Sequence, residues 1–117
     1  MIGSFKGATS NSVVSSNYRV LLYPGSIDIL SLPGSATSPL VTSTVVAGSG
    51  LYEYQWSITG SDISINNPDR DSTTFRASGA MQEYQEVATL TVTDKGNSDA
   101  KTSVNLNVNF FFDRIGL

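Results

Sequence analysis

The chain has 117 residues, a formal net charge of −3, no cysteine and no histidine. The missing cysteines exclude disulfides, thiol catalysis and thiolate metal sites, and the missing histidines remove the commonest general base and zinc ligand. Seven Lys and Arg against ten Asp and Glu leave no basic patch for nucleic acid or an anionic membrane, and no apolar run reaches the roughly 20 residues that span a bilayer.

The length is that of one domain. Charged residues make up only 15% of the chain, and Ser, Thr, Asn and Gly fill the gap, a mix that suits strands and turns. Residues 1–17 carry only Met1, Ile2, Phe5, Val13 and Val14 as bulky apolar groups. They read as a flexible leader, or as an arm that orders on a neighbouring subunit, and their start lacks the apolar stretch of a secretory signal. Residues 18–23 (YRVLLY) form the first strand-like run, and Pro24-Gly25 separates it from SIDIL at 26–30. This broken pair resembles a first strand that switches sheets. LVTSTVV at 40–46 is rich in β-branched residues and runs into the turn AGSG.

The segment LYEYQWSIT at 51–59 alternates Tyr52, Tyr54, Trp56 and Ile58 with polar residues, the period of a half-buried strand. A weak strand at Ile63 and Ile65 precedes the polar turn NNPDRD, and TTFRA at 73–77 follows with Phe75 inward. GAMQE at 79–83 reads as a turn. EVATLTVTD at 86–94 alternates again, KGNSD forms a hairpin turn, and the last strand spans 102–112, with Val104, Leu106, Val108 and Phe110 alternating with asparagines. The sum is an all-β, antiparallel two-sheet sandwich of about seven strands over 18–112, flanked by the arm 1–17 and a tail 113–117. Its expected core is Tyr52, Tyr54, Trp56, Phe75, Leu90, Val92, Val104, Leu106 and Val108.

Three stretches in this order, GSGLYEYQWSITG, STTFRAS and VATLTVTDKGNSDAKTSVNLNV, resemble immunoglobulin-like domains of the PKD and the bacterial and phage Ig type. The resemblance covers residues 36–109. It implies a non-enzymatic module that spreads, adheres or spaces, as in phage tail, head-decoration and fibre proteins or in modules of bacterial surface proteins and secreted hydrolases.

The candidate sites are few. Asp62, Asp69 and Asp71, with Asn66 and Asn67, form an oxygen-rich stretch that reads either as a weak calcium candidate or as an Asx-rich turn. Asp94 with Lys95 and Gly96 sets a hairpin turn, and no catalytic constellation or cofactor motif is present. FFFDRIGL at 110–117 is the sharpest functional feature. Phe111 and Phe112 cannot both be buried by a strand of period two: either one packs under the end of the sandwich and the other is simply exposed, or Phe111, Phe112, Ile115 and Leu117 dock on a partner subunit, with Leu21, Leu22 and Tyr23 beside them. Glu53, Gln55, Asn105, Asn107 and Asn109 would line a polar sheet face that can bind carbohydrate or simply be solvated. The expected function is a virion structural component, such as a capsid decoration, head or tail protein, that binds the protein subunits of a larger assembly. The alternative is an adhesion, glycan-binding or spacer module at a bacterial surface. Neither needs nucleic acid, membrane, metal or cofactor.

Overall fold

The structure, a computed structural model, describes residues 18–114, so Ile115, Leu117 and the arm 1–17 lie outside the described residues. The described chain holds ten strand segments: β1 (Arg19–Tyr23), β2 (Ser26–Ser31), β3 (Gly34–Thr37), β4 (Val41–Val46), β5 (Tyr52–Ile58), β6 (Ile63–Ile65), β7 (Ser72–Thr73), β8 (Phe75–Gly79), β9 (Glu83–Asp94) and β10 (Ala100–Phe112).

One sheet has the order β2-β10-β9-β5. The other is built from β1-β4-β7 and β3-β8-β6. These two groups are halves of one layer, because β3 runs on into β4 and β7 into β8. Thr37 pairs with Arg76 and Val41 with Thr73, so three residues on one strand face two on the other, which is a β-bulge. Pro39 has no N–H to donate there, and Ser38 bridges the gap: its backbone N–H donates to Phe75 O at 2.7 Å, and its Oγ accepts from Phe75 N at 2.9 Å.

The first strand does switch sheets. β1 pairs antiparallel with β4, and after Pro24-Gly25 β2 pairs parallel with β10, Ser26 opposite Asn107 through Ser31 opposite Phe112. The Tyr23–Pro24 peptide bond is cis. One layer thus carries β1, β3/β4, β7/β8 and β6, and the other β5, β9 and β10 with β2 at its edge. That is the strand arrangement of an immunoglobulin-like β-sandwich.

Alternation decides what is inside. Trp56, Phe75, Leu90, Val92, Leu106 and Val108 are buried, and Tyr52, Tyr54 and Val104 are half-buried against them. The Trp56 ring meets Phe75 edge to face at 5.8 Å between centroids, and its indole N–H donates to Arg70 O at 2.9 Å, so the one tryptophan is fully partnered. Tyr18, Val20, Ile27, Val41, Ile63, Ala77, Ala88, Phe110 and Phe112 complete the core.

Three elements differ from the sequence reading. β3 is an added strand, built of small residues without an alternating pattern. β9 starts at Glu83, so the expected turn over 79–83 shrinks to the residues between β8 and β9. Phe112, expected to dock on a partner, is instead a core residue, 1% exposed. Its pairing with Ser31 keeps it in phase with Phe110 and Val108, and its ring lies edge to face with Tyr84 at 6.1 Å.

Candidate functional site

The sandwich has two poles. At the first, the β4–β5 and β9–β10 turns meet over Asp94, which is enclosed. Ser49 donates both its backbone N–H (2.9 Å) and its hydroxyl to the Asp94 carboxylate, and Gly96 donates its backbone N–H at 3.1 Å. These hydrogen bonds, the Ser49 hydroxyl first, hold the Asp94 carboxyl below the usual carboxylate range. Tyr18 enters beside it, its hydroxyl donating to Val92 O at 3.1 Å; burial and then the Asp94 charge push that phenol up. The carboxylate ties two turns together and has no free face for chemistry. Lys95 bridges Asp99 at 3.0 Å above the same turn.

Asp62 precedes β6, where its backbone N–H donates to Glu86 at 3.1 Å, whereas Asp69 and Asp71 lie in the β6–β7 turn beyond that strand. Among the described residues no three Asp or Glu side chains converge as metal ligands, so the calcium candidate is not assembled. The turn instead folds back on β5: Pro68 O accepts from Trp56 N at 2.7 Å, and Asn67 N donates to the Thr73 hydroxyl at 2.8 Å. These bonds tie the turn to β5 and β7.

The outer face of the four-stranded sheet is polar along most of its length. Its side chains pair with one another across strands: Thr89 with Asn105 at 2.9 Å, Thr91 with Ser103 at 3.0 Å, Lys101 with Thr93 at 2.9 Å, and Asn109 with Asp28 at 2.9 Å. Asn105, Asn107 and Asn109 project from β10 in the outward phase, and the next residue in that phase is Phe111.

Phe111 sits at the second pole, where β10 ends. It is 42% exposed, it pairs with Leu30 on β2 and Glu83 on β9, and Leu30 and Met81 beside it are 61% and 57% exposed. Two hollows flank its ring. One, of about 240 Å³, is lined by Asp28, Ile29, Leu30, Glu83, Asn109 and Phe111; the other, of about 290 Å³, by Met81, Gln82, Glu83, Phe111, Phe112 and Asp113. An apolar surface rimmed by polar groups, at the end of a sheet that otherwise satisfies itself, is the candidate site.

Phe111 is legible in the sequence as an exposed aromatic, and its neighbours are not. Leu30, and not Leu21, Leu22 or Tyr23, is the residue paired with it, because β1 belongs to the opposite layer. Met81 was hidden in a segment read as a turn. Glu86 was missed as well: it is buried, accepts from Gly60 N at 3.2 Å and Asp62 N at 3.1 Å, and anchors the β5–β6 loop. Its signal was present, since Glu86 stands in the inward phase of β9.

The fold and the site define an immunoglobulin-like β-sandwich with one apolar pole. No protein-family model matches the chain, and no curated protein sequence does. Solved structures do. The chain is similar to the ASH/PapD-like domain of human CEP192 (PapD-like domain 7) with a TM-score of 0.67 and 7% identity, over 84% of this chain and 87% of that one. It is also similar to a nucleoside hydrolase-related hypothetical protein from Saccharophagus degradans that is associated with carbohydrate metabolism, with a TM-score of 0.57 and 14% identity, over 80% of this chain and 26% of that one. At these identities the likeness shows the sandwich fold.

Proposed function

We propose that this chain is a non-enzymatic binding module that docks on a protein subunit through the apolar pole around Phe111, and that its setting is a virion, as a decoration, head or tail component. The observation that carries the reading is the joint exposure of Leu30, Met81 and Phe111 at the end of an otherwise self-paired polar face. An aromatic anchor between two hollows, ringed by Asn109, Gln82 and carboxylates, has the composition of a docking hot spot. On a repeated lattice such a contact can be weak, because several of them add through effective concentration. Ile115 and Leu117 extend the same apolar character in sequence. Replacing Phe111 with the photo-crosslinker benzoyl-phenylalanine in producing cells tests the reading. The expected result is one discrete protein adduct; no adduct from a folded, expressed chain refutes it.

A second reading, an adhesion, glycan-binding or spacer module of a larger bacterial surface protein or secreted enzyme, is favoured by the hollow beside the apolar pole. Gln85, Asn107 and Asn109 line it and could bond sugar hydroxyls. A glycan array separates the two: binding that Asn107→Ala abolishes and Phe111→Ser leaves intact selects the second.

A further inference from the structure

The patch around Phe111 has a charge as well as a shape. Asp28, Glu83 and Asp113 line its two hollows, and neither hollow is lined by Lys or Arg. The Asp28 and Glu83 carboxylates accept from the neutral amides of Asn109 and Gln85. Arg114, next along the chain, donates only its backbone N–H to Asp113. Among the described residues the only ion pairs are those of Lys95 with Glu53 and Asp99, at the other pole. Among the described residues, no cation pairs with the carboxylates that rim the apolar surface. Its complement is a segment that carries an apolar anchor next to a positive charge.

Residues 1–17 have that composition: Ile2 and Phe5 stand beside Lys6, the one charged residue of the segment. The segment joins the sandwich at Tyr18, beside Val92 and Asp94, at the pole opposite the patch. From Thr102, which pairs with Val92, to Phe111 is nine residues of β10, about 30 Å at the rise of a strand. The thirteen residues from Phe5 to Tyr18 span at most about 45 Å. To reach its own patch the segment would have to run along a face whose side chains already pair with one another and offer it few partners on the way. A neighbour placed end to end presents its patch pole directly to the pole where the segment leaves.

We infer that the Ile2–Lys6 stretch of one copy docks on the Leu30–Met81–Phe111 patch of a second copy, with Phe5 as the apolar anchor and Lys6 against Glu83 and Asp28. The inference rests on the reading of the patch as a protein-docking surface. The two contact surfaces are different, so the interaction is heterologous: each copy both gives a segment and receives one, and copies add head to tail.

The test uses two full-length variants. Phe5→Ser with Lys6→Glu disables the segment, and Phe111→Asp disables the patch; circular dichroism checks that each is folded. By size-exclusion chromatography with light scattering, the wild type forms species that lengthen with concentration. Each variant alone is monomeric, and an equimolar mixture forms a 1:1 dimer that grows no further. Lys6→Glu alone weakens association about fivefold, the order of a rim ion pair, and Glu83→Lys in the same chain restores it. A mixture that stays monomeric, or a wild type that is monomeric at all concentrations, overturns the inference. The crosslink at position 111 separates the two levels. An adduct to the Phe5 peptide of another copy supports both readings, an adduct to a different protein keeps the docking surface and removes this occupant, and no adduct removes both.

Discussion

Two adjacent phenylalanines on one strand should behave in opposite ways. Phe112 is 1% exposed, stacked on Phe110 at 6.3 Å and edge to face with Tyr84 at 6.1 Å. Truncating such a ring removes its transfer free energy and leaves a cavity, so Phe112→Ala should cost about 3–5 kcal/mol. For a domain of this size that is a fall in Tm of roughly 15–30 °C, a large share of a total stability of about 5–15 kcal/mol. Phe111 keeps 42% of its surface in water. Full burial of a Phe is worth roughly 1.5–3 kcal/mol, so the covered part of Phe111 should contribute only about 1 kcal/mol. Urea unfolding followed by fluorescence reads both variants directly, because Trp56 is the single tryptophan and lies in the core. Equal losses for the two variants, or a Phe112→Ala protein close to wild type, would mean that β10 is out of register with β2 and that the patch does not exist as described.

Three further outcomes follow from the polar groups. Asp94 has its carboxyl held below the ordinary range in the folded chain, so it stabilises the fold above the unfolded value, and that contribution is lost as pH falls through the folded one. Asp94→Asn should therefore melt lower than wild type at neutral pH, with the gap closing in acid; thermal melts across a pH series give the comparison. Glu86→Ala deprives Gly60 N and Asp62 N of their acceptor and should cost about 1–3 kcal/mol in urea unfolding, with Glu86→Gln recovering part because one acceptor oxygen remains. Trp56→Phe keeps an aromatic ring against Phe75 but strips Arg70 O of its indole donor. Hydrogen exchange should show faster opening of the β6–β7 turn while the amides of β9 stay protected.

Much of the fold was legible because its central strands are two-faced. β5 over Tyr52–Ile58, β9 over residues 88–93 and β10 over residues 104–110 alternate apolar and polar side chains, and that pattern names both the strand and the side that is buried. Where alternation fails, legibility fails with it. Gly34–Thr37 is small and polar, and it is a strand only because β8 supplies the partner. The run of three phenylalanines has no contrast of its own, yet the asparagines at 105, 107 and 109 had already set the phase that sends Phe111 out and Phe112 in. Met81 and Leu30 could not be joined to Phe111 from the sequence, since only the pairing of β2 and β9 with β10 brings them together. Buried Glu86 and Asp94 were readable in principle as carboxylates in an inward phase, the position where a charge needs hydrogen-bond donors around it.

The parallel pairing of β2 with β10 has a mechanical consequence. Tyr18 lies at one pole and Asp113 at the other, and both β2 and β10 run from the first pole towards the second. Tension between these two points drags the paired strands past each other along their length. The ladder from Ser26 to Ser31 is then loaded in shear, all its bonds together, where a hairpin pulled from its open end would yield one bond at a time. Force entering at Tyr18 meets the β1–β4 ladder first, Arg19 opposite Val46 through Tyr23 opposite Thr42, and reaches the β2–β10 seam through it.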